Sequence, residues 1–255
     1  MSDEASKLKG LAWAVGALLI GASFAVGLSP LVRAIPWKWE TGLASLIPVP
    51  PDKACPGNGQ SNALLTRLVA RLYPVEPDDG KISITVRIAK DHAINAYAGL
   101  GGTIFVNEGL LEKASSAEEV AGVLAHEIEH VKRRHIFENI LIRLVTIGGL
   151  QMIFNGAHAS DAKWINYFLN MHFSRAQESE ADEGGLKRLQ MAHIDNQGFR
   201  DFFKRMEDES AAPGFLSDHP DNQERYEMAD KFKNDNPKPI MTQEEWLRFK
   251  HYCHE

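Results

Sequence analysis

The 255 residues, 44% of them hydrophobic, are enough for one sizeable domain plus an accessory segment. A net charge of −6 with no compensating basic block excludes nucleic acid as the expected partner, and Lys132-Arg133-Arg134 reads as the outward face of a helix. The two cysteines, Cys55 and Cys253, show no C-x-x-C spacing; either they staple the two ends of an exported domain or they are unrelated thiols.

Gly10 to Val32 contains no charged residue. As a helix these roughly 23 residues span about 34 Å, the thickness of a bilayer core, so residues 10–32 predict an N-terminal transmembrane anchor. A cleaved signal peptide is the alternative, with Lys7 and Lys9 ahead of the run and Ser23-Phe24-Ala25 as the cut site, but the run exceeds the usual apolar core of such a peptide. Lys7 and Lys9 on one side balance Arg33 and Lys38 on the other, leaving sidedness open, while Trp37 and Trp39 suit a membrane interface. Residues 33–60 read as a linker whose last stretch, Pro48 to Gln60, carries four prolines and two glycines. The domain is expected over 61–255.

Asn62 to Leu72 has helical periodicity, with Leu64, Leu65, Leu68, Val69 and Leu72 on one side. Two prolines and Asp78-Asp79-Gly80 break it. Lys81 to Ala89 alternates polar and apolar, the pattern of a half-buried strand. A hairpin follows, Ala93 to Ala98 and Thr103 to Val106 around the turn Gly99 to Gly102.

Ser116-Ala-Glu-Glu119 is a capping box that opens a helix with Val120, Leu124, Ile128 and Val131 as its buried stripe. His126-Glu127-Ile128-Glu129-His130 therefore lies mid-helix. Residues four apart share a helix face, so both imidazoles can reach one small cation, and Glu127 can face a water on that cation. Zinc tolerates such a site and keeps a coordination position open, which makes the pattern a metallopeptidase signature. His135, five residues past His130, is turned off that face and is expected to pack or cap. Ile136 to Phe154 predicts an amphipathic helix covering the core or touching the bilayer, since a central Arg143 is costly in lipid.

A second long helix is expected over Asp161 to Ala192, where Trp164, Phe168, Met171, Arg175, Glu178 and Asp182 fall on one face. Gly184-Gly185 permits close helix approach. Asn196 to Glu209 reads as a further amphipathic helix with Phe199, Phe202, Phe203 and Met206 inward. Ser217-Asp218-His219-Pro220 precedes another helix near Asp221. The Thr242-Gln-Glu-Glu245 capping box opens a last helix ending at Cys253.

His126-Glu-x-x-His130 paired with Ser174-Arg-x-x-Glu178-x-x-Ala-Asp182 resembles the HtpX and CAAX-prenyl-endopeptidase family of zinc metallopeptidases (metallopeptidase family forty-eight, gluzincin type). The likeness covers about residues 60–235. It implies an α+β, mainly helical zincin-like metallopeptidase domain with a small β-sheet or hairpin at the cleft edge, here behind an N-terminal transmembrane helix. It also implies one Zn2+ per subunit held by His126, His130 and Glu178, with Asp182 behind His126 holding its metal-binding tautomer. Glu180 points about 160° away from Asp182 around the helix and is expected to be solvated. Glu127 would be the general base for a zinc-activated water, and His219 of the His-Pro pair would hold the oxyanion or act as a displaceable ligand, with Arg225 a weaker candidate for ordering the site. The edge strand Asn95-Ala96-Tyr97 would receive an extended peptide by β-augmentation.

The expected function is thus a membrane-anchored zinc endopeptidase, its catalytic domain exported, cutting misfolded or membrane-associated proteins. A peptide-binding chaperone or adaptor and a zinc hydrolase of small amides are the alternatives. One clear span sets the chain nearer the single-anchor or periplasmic quality-control members than the many-span prenyl-protein proteases.

Overall fold

The computed structural model describes residues 29–45, 54–74, 82–146, 172–209 and 224–254. At its centre is helix α5, Ala117–Arg133. Ser116 caps it, its hydroxyl accepting from the Glu119 amide, and the helix ends where Arg134 turns into the left-handed region at φ 62°. Val120, Leu124, Ile128 and Val131 are buried as their spacing requires.

The other elements pack around this helix. α1 (Ser29–Ala34), α2 (Trp37–Ala44) and α3 (Gly59–Leu72) precede the sheet. Strands β1 (Thr85–Ala89), β2 (Ala96–Ala98) and β3 (Thr103–Asn107) stand in the order β1-β3-β2. The expected hairpin is there, β2 antiparallel to β3 with Tyr97 opposite Phe105, while β1 lies parallel to β3. α4 (Glu108–Lys113) follows β3, and α6 (His135–Thr146), α7 (Arg175–Met191), α8 (Gln197–Glu209), α9 (Glu224–Lys231) and α10 (Gln243–Lys250) complete the domain, with a 3-10 turn at Tyr252–His254.

The α5–α7 contact sets the depth of the site. A Cβ at Gly185 would stand 3.1 Å from the His126 backbone nitrogen, so the paired glycines let the two backbones close together as expected. Farther toward the N-terminus of α5, Phe199, Phe202, Phe203 and Met206 of α8 are fully buried, with the Phe203 ring centroid 6.0 Å from that of His126. Gly122 admits Phe199: a Cβ there would lie 2.7 Å from the Phe199 Cα.

Several boundaries differ from expectation. Residues 172–174 are not helical and α7 begins at Arg175, because Ser174 and Gln177 form a capping box that satisfies the first turn. A continuous helix from Asp161 is therefore not formed; Trp164, Phe168 and Met171 lie outside the described residues. Strand β1 starts at Thr85 rather than Lys81. Residues 37–44, within the stretch read as a linker, form α2, whose Glu40 is buried and accepts from Arg134 Nε at 2.9 Å. Arg134 also donates to the Val32 carbonyl at 2.7 Å and lies over the Phe137 ring. Val32, the last residue of the expected anchor, is buried in the domain core. No described helix is long and apolar enough to cross a membrane, and residues 10–28 of the anchor lie outside the described residues.

The open question of the cysteines is answered: Cys55 and Cys253 form a disulfide with Cα atoms 5.1 Å apart, joining positions 198 residues apart in sequence. A link closing so long a loop constrains the unfolded chain. Cys253→Ser is expected to cost about 2–5 kcal/mol, read as a lower Tm that reductant reproduces in the parent. Gly122→Ala, which must displace backbone of α8, is expected to cost about 1–3 kcal/mol by the same melting measurement.

Candidate metal centre

His126 and His130 sit one turn apart on α5, both fully buried. Their Nε2 atoms are 3.0 Å apart. From the facing helix α7, Glu178 brings Oε2 to 3.5 Å from His126 Nε2 and Oε1 to 3.3 Å from His130 Nε2. The three residues form one group of convergent donor atoms. Tetrahedral ligands at zinc distances of about 2.0–2.1 Å are separated by about 3.3–3.4 Å, so the observed edges of 3.0, 3.3 and 3.5 Å fit that ion.

Each imidazole is held from behind. Asp182 Oδ1 lies 2.9 Å from His126 Nδ1 and fixes the proton there, which leaves the Nε2 lone pair directed at the group. Arg225 of α9 donates from Nε to the other oxygen, Oδ2, at 2.8 Å, and reaches Glu178 Oε2 at 3.4 Å. The Arg225 guanidinium is itself buried over the Phe203 ring, 4.0 Å from its centroid. Burial alone would raise the Asp182 pKa, but Arg225 and His126 outweigh it and hold the carboxyl below its ordinary range. The same carboxylates raise the Arg225 pKa against its own burial.

Charge supports the same reading. Glu127, Glu178 and Asp182 are all at most 1% exposed, as is Arg225. Three carboxylates against one guanidinium formally leave two negative charges, which a divalent cation balances.

His135 stays out of the donor group and packs, as expected, but close behind a ligand: its Nδ1 stands 3.0 Å from His130 Nδ1, so it backs His130 as Asp182 backs His126. Burial, then the neighbouring His130 and Arg133, push its pKa down to about 2, so the ring stays neutral. Phe173 covers His130 with ring centroids 3.9 Å apart. Left-handed Arg134 ends α5 and brings the next residue under His130, a contact that a helical count does not reveal. Glu180 stays out of the donor group, half exposed and paired with Arg133 at 2.9 Å.

Of the remaining expected residues, Asn95 and Ala96 are buried on the β2 side and Tyr97 stacks on Phe105 at 5.1 Å. Burial and Asp91 push the Tyr97 hydroxyl up to about 12. β2 lies at the edge of the sheet and packs against α5. His219 lies outside the described residues.

Known proteins are similar to this chain in sequence. The chain is 30% identical over 160 residues to the putative beta-barrel assembly-enhancing protease of Vibrio cholerae, covering 56% of this chain and 33% of that one. It is 28% identical over 185 residues to the mitochondrial metalloendopeptidase OMA1 of Schizosaccharomyces pombe, covering 68% and 53%. The OMA1 of Saccharomyces cerevisiae is 32% identical over 148 residues, covering 54% and 43%. The aligned part thus spans between a third and about half of these relatives. The model of peptidase family M48 matches residues 63–233, two thirds of the chain and all of the helices that meet at the histidine pair, so this chain belongs to peptidase family M48.

Proposed function

We propose that this chain is a zinc-dependent metalloendopeptidase, anchored by its N-terminal segment with the catalytic domain on the exported side of a membrane. The observation that carries the reading is the convergence of His126, His130 and Glu178 on one point, each imidazole backed by a partner of its own. Family membership and relatives named as metalloendopeptidases support it. His126, His130 and Glu178 would hold the zinc, which when bound would supply Lewis-acid chemistry to the scissile carbonyl and to a water.

The protein's own groups do the rest. Glu127, next to His126 and fully buried, takes the proton from the attacking water and delivers it to the leaving amine. Its dry surroundings strengthen every charge interaction made there. Asp182 and Arg225 keep His126 oriented, while His135 does so for His130. His219 is proposed as the donor that stabilises the oxyanion, as the resemblance implies. The edge strand β2 offers Asn95 to Tyr97 to an extended polypeptide, whose main chain would pair regardless of sequence. That generality suits misfolded or membrane-associated proteins as substrates. The disulfide supports an oxidising compartment for the domain.

The full chain, purified in detergent and loaded with zinc, is expected to cut casein. Glu127→Gln should keep its zinc and lose turnover by about 10²–10⁴-fold, and His126→Ala should lose both. An active Glu127→Gln protein contradicts the assignment. Asp182→Asn, scored by zinc titration against a chelator, is expected to weaken binding about 10–100-fold while the fold is retained.

A further inference from the structure

We propose a second divalent-cation site, built from Glu108, Glu112 and His254, that takes a zinc-class ion and shares no residue with the His126 group. Glu108 opens α4 directly after β3 and is only 2% exposed. Among the described residues, neither of its carboxylate oxygens has a hydrogen-bond donor. An ionised carboxylate left so in a protein interior is costly, and it is held there when a cation compensates it.

His254 supplies the convergent donor. Its Nε2 stands 2.8 Å from Glu108 Oε1, without the alignment of a hydrogen bond. Close approach without alignment is the geometry of two ligands aimed at a common third point. Glu112, one turn on from Glu108 along α4, brings Oε1 to 3.8 Å from the same nitrogen. All three donor atoms lie within 4.8 Å of one another. The edges of 2.8 and 3.8 Å bracket the about 3.3–3.6 Å expected for tetrahedral ligands at zinc distances. Exposed His92, with Nδ1 3.7 Å from Glu112 Oε2, stands ready as a further donor.

The donor set selects the ion. One imidazole with two carboxylates suits zinc or a similar borderline transition ion, whereas calcium and magnesium take oxygen ligands alone. Position is set by the disulfide, since Cys253 is bonded to Cys55 and precedes His254 directly. A cation here ties α4 to the C-terminal turn, which the disulfide already fastens to Cys55. One face stays open to water, as Glu112 and His254 are exposed.

The test uses the full chain carrying His126→Ala and His130→Ala, stripped of metal and dialysed against micromolar free zinc. One zinc per chain and a zinc-dependent rise in Tm are expected. Adding Glu108→Gln or Glu112→Ala should weaken binding at least ten-fold and abolish the rise. No bound zinc in the double-histidine background, or binding unmoved by both carboxylate variants, overturns the proposal. Should that background fail to fold by circular dichroism, the parent serves: Glu112→Ala, a change at an exposed side chain, must remove one zinc equivalent, and an unchanged count overturns the site. Because the readout omits the His126 pair, its failure is separate from failure of the peptidase reading.

Discussion

Two imidazole nitrogens 3.0 Å apart in a fully buried place are the constraint on which the structure turns. With Nδ1 of His126 protonated toward Asp182, two lone pairs facing each other at that distance would repel unless a proton or cation lies between them. The protein does not relax this crowding; it enforces it. Asp182 is clamped between His126 and Arg225, and Arg225 is wedged over Phe203, so His126 has no room to turn away. Removing one partner would leave a buried charge uncompensated, which costs more than the pair gains.

The scaffold exists to bring α5 and α7 to the distance at which this clamp closes. Glycines 184 and 185 remove the side chains that would hold the helices apart, and Phe199 and Phe203 of α8 close in beside the His126 ring. The far end of α5 is fixed by a different device. Arg134 caps the turn and ties it to Glu40 and to the Val32 carbonyl. The segment that follows the expected anchor is therefore fastened to the helix that carries both histidines, so a membrane tether would act on a rigid body rather than through a loose linker.

The local part of this arrangement was legible in the sequence. The spacing of His126 and His130, the glycine pair, the β2–β3 hairpin and the buried stripe of α8 all follow from helical or strand periods, which act over a few residues. The meeting of Glu178 with the histidines needed the family resemblance, because sequence separation says nothing of which helices face each other. The helical period of 3.6 does not mark the points where the backbone leaves the helix: left-handed Arg134, which brings His135 behind His130, and Ser174, whose capping box with Gln177 starts α7. The Glu40 contact joins residues 94 apart in sequence and has no local signal. Arg225, expected as a weaker candidate for ordering the site, does so through Asp182 and Glu178, contacts across more than 40 residues that carry no local signal.

The most direct test of the account is zinc-edge anomalous diffraction from crystals of the chain grown with zinc. A peak about 2.0–2.2 Å from Nε2 of His126, Nε2 of His130 and a carboxylate oxygen of Glu178 is the predicted result. Density for these side chains with no anomalous peak between them at saturating zinc would contradict it.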